Sequence, residues 1–232
     1  MTKPEFIARQ GRRPTGLLGA IVARVMARET RPENDRALEL LDLEYGDRLI
    51  DIGCGHGETL FKADRKVRLR ESAGVDFSEV MLRRAGARNR EAVWDMRLTL
   101  HHADTASLPF DTNRFDKALS VHTIYFWPDP VAQLTEAFRV LCTGGRFVLC
   151  YRSTADQRAV DRFPDTIYRF PSVPEVEDTL RLVGFDPPET LTANLAGRLT
   201  HWTIALKPVD GVRQPTGDDS APCRDLEITK EP

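Results

Sequence analysis

The chain has 232 residues, of which 41% are hydrophobic and 29% charged, the make-up of a globular protein with enough length to bury a substantial core. A formal net charge of −2 gives no bulk attraction to nucleic acid. No stretch approaches the roughly 20 apolar residues that cross a bilayer, and "MTKPEFIARQGRRP" at the N-terminus lacks the apolar core of a signal peptide.

Residues 1–15 are basic and polar. From Leu17 the apolar positions Leu17, Leu18, Ile21, Val22, Val25 and Met26 recur at helical spacing. That stripe packs onto the domain or a second subunit, or, with Arg24 and Arg28 beside it, touches a membrane surface. Arg28 to Asn34 breaks the pattern around Pro32, and a second helix runs through Ala37, Leu38, Leu40 and Leu41 to a stop at Gly46. Strands and helices then alternate. Strands are expected at Arg48–Ile52, Ser72–Val75, Arg97–His102, Phe115–His122 and Arg146–Tyr151. Between them lie helices from Glu58 to about Val67, from Ser78 to about Asn89, and Pro130–Leu141 with Asp129 as its cap and Gly144-Gly145 as its stop. This order predicts an α/β fold, a parallel sheet covered by helices on both faces. Arg152 to Phe170 reads as irregular and charged, Pro174–Val183 as a helix ending at Gly184. Phe185–Leu191 and Leu199–Lys207 read as an antiparallel strand pair. From Pro208 periodicity is lost and a disordered tail is expected.

The four cysteines, Cys54, Cys142, Cys150 and Cys223, have no C-x-x-C pair and no metal-type spacing with histidine, so reduced thiols in a cytoplasmic protein are the simplest expectation.

The chemistry begins at "LIDIGCGHGETL", residues 49–60, where Gly53, Gly55 and Gly57 separate a strand from a helix. Main chain without side chains lets a ligand approach, and the helix N-terminus favours a carboxylate or phosphate. A dinucleotide fingerprint would carry a third glycine at position 58. Glu58 stands there instead, a poor neighbour for a pyrophosphate but tolerable for a ligand with an amino-acid end and a cationic sulfur. "GVDFSEVML", residues 74–82, puts Asp76 at the end of the second strand, 23 positions past Gly53, close to the usual distance of about 20 for an acid that binds a ribose. Asp104 in "HHADTASLPF" ends the third strand, where its side chain or the Thr105 backbone reaches an adenine edge.

With "SVHTIYFWPDP" at 120–130 and "RVLCTGGRFVL" at 139–149, these pieces make the run from Leu49 to Tyr151 resemble the class I S-adenosylmethionine-dependent methyltransferases. The similarity is greatest to the small-molecule group that includes the quinone-biosynthesis C-methyltransferases. The resemblance implies a three-layer, doubly wound, mostly parallel seven-stranded sheet with its last strand antiparallel, for which "HWTIALKP" at 201–208 is the candidate. It implies S-adenosyl-L-methionine as cofactor and no metal. It divides the chain into an N-terminal covering segment 1–45, a cofactor-binding domain 46–208 and a tail 209–232. Asp51, Gly53, Cys54, Gly55 and Gly57 would hold the methionine end, Asp76 the ribose, and Asp104 with Thr105 the adenine. Phe77 and Met81 would lie against the adenosine, and Ser120 and Val121 would pass beside the sulfonium.

His122 is the candidate base, with a structural hydrogen bond as the alternative reading. Tyr125 and Trp127 are either pocket walls or loop anchors. His101 and His102 point to opposite faces of a strand and carry no ligand spacing. Arg12, Arg13, Arg152, Arg158, Arg162 and Arg169 lie where this family varies its substrate contacts, and either bind an anionic substrate or form a solvated surface. Expected partners are a small-molecule methyl acceptor, no nucleic acid and no stable membrane insertion, in a monomer or homodimer. The alternatives are a methyltransferase-like binding protein without catalysis and an NAD(P)-dependent oxidoreductase.

Overall fold

The computed structural model describes residues 5–12, 28–195 and 197–209. The apolar stripe from Leu17 to Met26 and the tail from Asp210 lie outside the described residues.

Seven strands form one sheet in the order β3-β2-β1-β4-β5-β7-β6. They are β1 (Arg48–Ile52), β2 (Glu71–Asp76), β3 (Leu98–His102), β4 (Phe115–Val121), β5 (Leu141–Tyr151), β6 (Glu189–Leu195) and β7 (Arg198–Leu206). The first five pair in parallel, and β7 runs antiparallel to both neighbours, β5 and β6. The reversed last strand is therefore where the resemblance put it.

The central strands are buried on both sides, which is why they read as apolar runs rather than alternating ones. Their period of two still sorts side chains between two cores. Ile50, Ile52, Ala118, Phe147 and Leu149 face one core with α6 (Pro130–Val140) and α8 (Val173–Val183). Leu49, Leu119, Val148, Cys150 and Trp202 face the other with α2 (Arg31–Leu40) and α3 (Glu58–Lys66). Trp202 Nε1 donates to the Glu33 carbonyl at 3.0 Å and fastens α2 to the last strand.

Several boundaries differ from expectation. Pro32 opens α2 instead of interrupting it, because a first-turn residue has no intrahelical N–H bond to lose. Gly144 and Gly145 lie inside β5, which starts directly after α6. A β-carbon at Gly145 would sit 2.7 Å from the Cys142 carbonyl oxygen, and the β4–β5 register shifts nearby. The glycines thus serve an irregular strand rather than a helix stop. β6 begins at Glu189, not Phe185: Pro187 and Pro188 lack ladder donors, and Phe185 packs between Phe138 and Phe147. Helices unmarked in the sequence pattern form at α1 (Glu5–Arg12), α5 (Arg90–Trp94) and α7 (Gln157–Arg162); α4 spans Glu79–Arg88. Asp156 caps α7 by accepting from Ala159 N at 3.1 Å. α1 buries Ala8, and its Glu5 accepts from Thr166 Oγ1 at 3.1 Å.

Candidate active site

In a sheet of this order the chain reverses direction of growth between β1 and β4, and ligands sit beyond the strand ends at that switch point. A cavity of about 620 Å³ opens there. Gly53, with φ 82°, lies against Thr123: a β-carbon would fall 2.2 Å from its Cγ2. Gly55 faces open space and donates its N–H to Asp76 Oδ2 at 2.9 Å. Ser78 N donates to Asp76 Oδ1 at 2.8 Å. Asp76 is thereby fixed at the end of β2 with each oxygen holding a spare lone pair, and it lines the cavity.

Asp51 also lines the cavity, and its carboxyl is pushed up to about 8, first by burial and second by the Asp76 charge. Such a group calls for a cation beside it. Burial likewise raises Asp76, although the Ser78 and Gly55 N–H groups and His102 oppose the shift. Across the cavity the buried Gln133 amide oxygen has no partner among the described residues. Cys54, a free thiol that burial holds well above its ordinary range, completes the floor with Val121. On the other side stand Phe77, Met81, Asp104 and Thr105. Asp104 turns one oxygen to Ala106 N at 2.9 Å and is otherwise exposed.

Two of the residues expected at the site do not line the cavity. Gly57 does not line the cavity: it caps α3 with φ 71°, and a β-carbon there would lie 2.7 Å from Asn89 Nδ2 and 2.8 Å from Ala85 Cβ. It is a helix-packing glycine. Ser120 is fully buried, donates to the Ile52 carbonyl at 2.7 Å and bonds Thr123, so it braces the two strand ends from behind the cavity wall.

Glu58 sits at the cavity edge amid Arg31 at 3.1 Å, His56 at 3.2 Å, Lys62 at 3.5 Å and Arg88 at 3.8 Å. Burial raises its carboxyl, but Lys62, Arg31 and Arg88 outweigh that and hold it below the usual range. The acid that replaces the third glycine is therefore spent on its own cations.

His122 has φ 57°, uncommon for a residue with a side chain, and forms part of the wall shared by this cavity and a smaller one. Its Nδ1 lies 2.8 Å from Tyr125 Oη, which accepts the Arg152 N–H at 2.7 Å. Burial keeps the Tyr125 hydroxyl protonated and able to donate to His122 Nδ1, the arrangement in which the imidazole carries its own proton on Nε2. Burial, then Arg152 and Arg198, lowers His122 to about 3. The ring is thus held neutral.

The methyltransferase domain family matches residues 50–149. The 27-O-demethylrifamycin SV methyltransferase of Amycolatopsis mediterranei is 30% identical over 188 residues, 78% of this chain and 68% of that protein. The chain belongs to the class I S-adenosylmethionine-dependent methyltransferases. A chloroplast 2-methyl-6-phytyl-1,4-hydroquinone methyltransferase of Arabidopsis thaliana is 29% identical over 82% of this chain and 56% of its own. The chain thus spans about two thirds of the first relative and just over half of the second. Phosphoethanolamine N-methyltransferase 2 of Haemonchus contortus, solved with phosphomonomethylethanolamine and S-adenosylhomocysteine, shares the fold at a TM-score of 0.64 and 19% identity, over 76% of this chain and 52% of that one.

The cofactor of this family is S-adenosylmethionine. No helix among the described residues is long and apolar enough to cross a membrane. Sequence reading missed Thr30 and Asn34, which α2 and the turn before it bring to the larger cavity, and also His102 and Gln133. Only Gln133 carried a signal, as an amide on the otherwise apolar face of an amphipathic helix. His102 hydrogen-bonds the Phe77 carbonyl at 2.9 Å, while His101 turns to the other face against Phe110. Tyr125 lines the smaller cavity and not the larger; Trp127 does the reverse.

Proposed function

We propose that the methyltransferase binds S-adenosylmethionine in the larger cavity and transfers the methyl group in line, without a metal, to a small molecule in the smaller one. When bound, the cofactor supplies a methyl carbon already activated by a sulfonium, with a neutral thioether as leaving group. The protein's share is then placement and exclusion of water.

The observation that carries this reading is the Asp76 carboxylate, pinned by two main-chain N–H groups and still open to two hydroxyls of a ribose. Asp51 is the partner for the amino-acid end, since an ammonium relieves the burial that raises it. Asp104 and Thr105 sit where an adenine amino edge would lie, with Phe77 and Met81 as apolar walls. Gly57 and Ser120 keep structural roles. His122, on the shared wall, serves as a hydrogen-bond donor to the acceptor rather than as a base.

Isothermal titration with S-adenosylmethionine and S-adenosylhomocysteine tests the site, with NADH as the competing ligand. Removing two charge-assisted hydrogen bonds by Asp76→Ala should weaken adenosyl-ligand binding by about 2–3 kcal/mol, roughly 30- to 150-fold. Unchanged affinity in the variant removes Asp76 from the site.

A further inference from the structure

The smaller cavity, of about 240 Å³, lies between the turn before α2, the loop after β4, α7 and the start of β7. In its lining residues, four buried polar atoms make no hydrogen bond among the described residues: His122 Nε2, Arg152 Nε, Tyr168 Oη and Arg198 Nε, the last ion-paired with Glu33. With Tyr125 donating to His122 Nδ1, all four offer a hydrogen. Buried donors that make no hydrogen bond in the lining of one cavity call for an acceptor.

The charges agree. Behind the cavity, Glu33 is fully buried, with Oε1 3.5 Å from Arg152 Nη2 and 3.2 Å from Arg198 Nε. One carboxylate thus answers two guanidiniums, and neither Nε is aligned on it as a hydrogen bond. Arg158 and Arg162 stand exposed at the mouth. Of the lining acids, Asp156 is committed to capping α7 and Glu29 faces solvent. Five aromatic rings line the rest with Thr30, Ala159 and Gly197: Tyr125, Phe126, Phe163, Tyr168 and Phe170, the last two stacked at 18°. The volume falls below the roughly 300–1,000 Å³ of pockets for drug-sized ligands.

We propose that the smaller cavity anchors the methyl acceptor by a carboxylate carried on a small, flat, apolar body, held between Arg152 and Arg198 with His122 and Tyr168 as further donors. A carboxylate offers about four lone-pair sites and no hydrogen, which matches four donors, and its plane suits a guanidinium fork. A phenol brings a hydrogen of its own and is neutral near pH 7. The carboxylate is the anchor; the atom that takes the methyl group belongs to the part of the acceptor that reaches past His122 into the larger cavity. The proposal rests on the assignment of the smaller cavity as the acceptor site.

The test is calorimetric, on the full chain saturated with S-adenosylhomocysteine, with 4-hydroxybenzoate and its neutral isostere 4-hydroxybenzamide as probes. The benzoate should bind at least tenfold more tightly than the benzamide. Arg198→Gln should erase that preference while leaving affinity for S-adenosylhomocysteine unchanged, because Arg198 does not line the larger cavity. Tyr168→Phe, which removes one donor and no charge, should reduce the preference several-fold and guards against a misfolded arginine variant. Equal binding of the two probes, or binding of neither by protein that binds S-adenosylhomocysteine, overturns the carboxylate anchor and leaves the methyltransferase site intact. Failure to bind S-adenosylhomocysteine overturns the underlying reading and the anchor with it.

Discussion

Asp51 makes the ligand-free protein sensitive to pH in a direction opposite to that of an ordinary surface carboxylate. The unfolded carboxyl ionises near 3.9, whereas burial and the Asp76 charge place the folded one at about 8. Between those values the folded state holds one proton more than the unfolded state, so stability falls as pH rises. From pH 6 to pH 8 this single group removes about 2 kcal/mol, since each pH unit well inside the window is worth about 1.4 kcal/mol and the slope fades near pH 8. Asp76, Glu33 and Asp47 are shifted the same way, so the informative quantity is the difference between wild type and Asp51→Asn. Urea denaturation at pH 6, 7 and 8 should show a wild-type midpoint that declines more steeply than the variant's. Saturation with S-adenosylhomocysteine should flatten the wild-type slope, because its ammonium lets Asp51 ionise in the folded state. Parallel slopes in wild type and variant, with and without ligand, would refute the account of Asp51.

Gly57→Ala places a methyl at φ 71° and within 2.8 Å of Ala85 Cβ, so a loss of about 2–4 kcal/mol is expected from backbone strain and crowding together. Thermal unfolding reads this as a lowered Tm, while affinity for S-adenosylhomocysteine per folded molecule stays near wild type because Gly57 does not line the cavity. Tyr125→Phe removes the acceptor of the Arg152 N–H and the donor to His122 Nδ1, at a cost of about 1–3 kcal/mol. In ¹⁵N spectra, wild-type His122 should show a bare Nδ1 and a protonated Nε2, and the variant should lose that fixed tautomer; a protonated Nδ1 in the wild type contradicts the assignment.

The glycine turn and the acids at the strand ends were legible because their chemistry is local. Asp51, Gly53 and Gly55 are set by one strand–turn–helix unit, and Asp76 by its distance along the next, so spacing alone brings them together. Gly57 and Ser120 belong to the same motifs, yet their direction depends on tertiary neighbours: Ala85 and Asn89 in one case, Ile52 and Thr123 in the other. β6 slipped by four residues for a similar reason. Phe185 suits a strand by propensity, but a slot between Phe138 and Phe147 and two following prolines decide otherwise.

The smaller cavity was legible only in part: His122, Tyr125, Arg152, Arg158 and Arg162 were singled out, but Arg198, Tyr168 and Glu33 were not, because its parts come from the whole length of the chain. Arg152 and His122 follow the ends of adjacent parallel strands, whereas Arg198 opens the reversed strand and Glu33 arrives on a helix that precedes the sheet. Only the order β4-β5-β7, with β7 reversed, carries the start of the last strand to the same end of the sheet as the ends of β4 and β5. The same reversal gives Trp202 the position from which it holds α2, and so Glu33, against the two guanidiniums. In the proposed arrangement, recognition of the acceptor is thereby tied to the one antiparallel strand, while the larger cavity is built from the parallel ones, the segments that follow them, and Thr30 and Asn34 from α2 and the turn before it. The two halves of the reaction can then vary independently, since changes in β7, α7 or the loop around Tyr168 alter the smaller cavity without touching Asp51, Asp76 or the glycine turn.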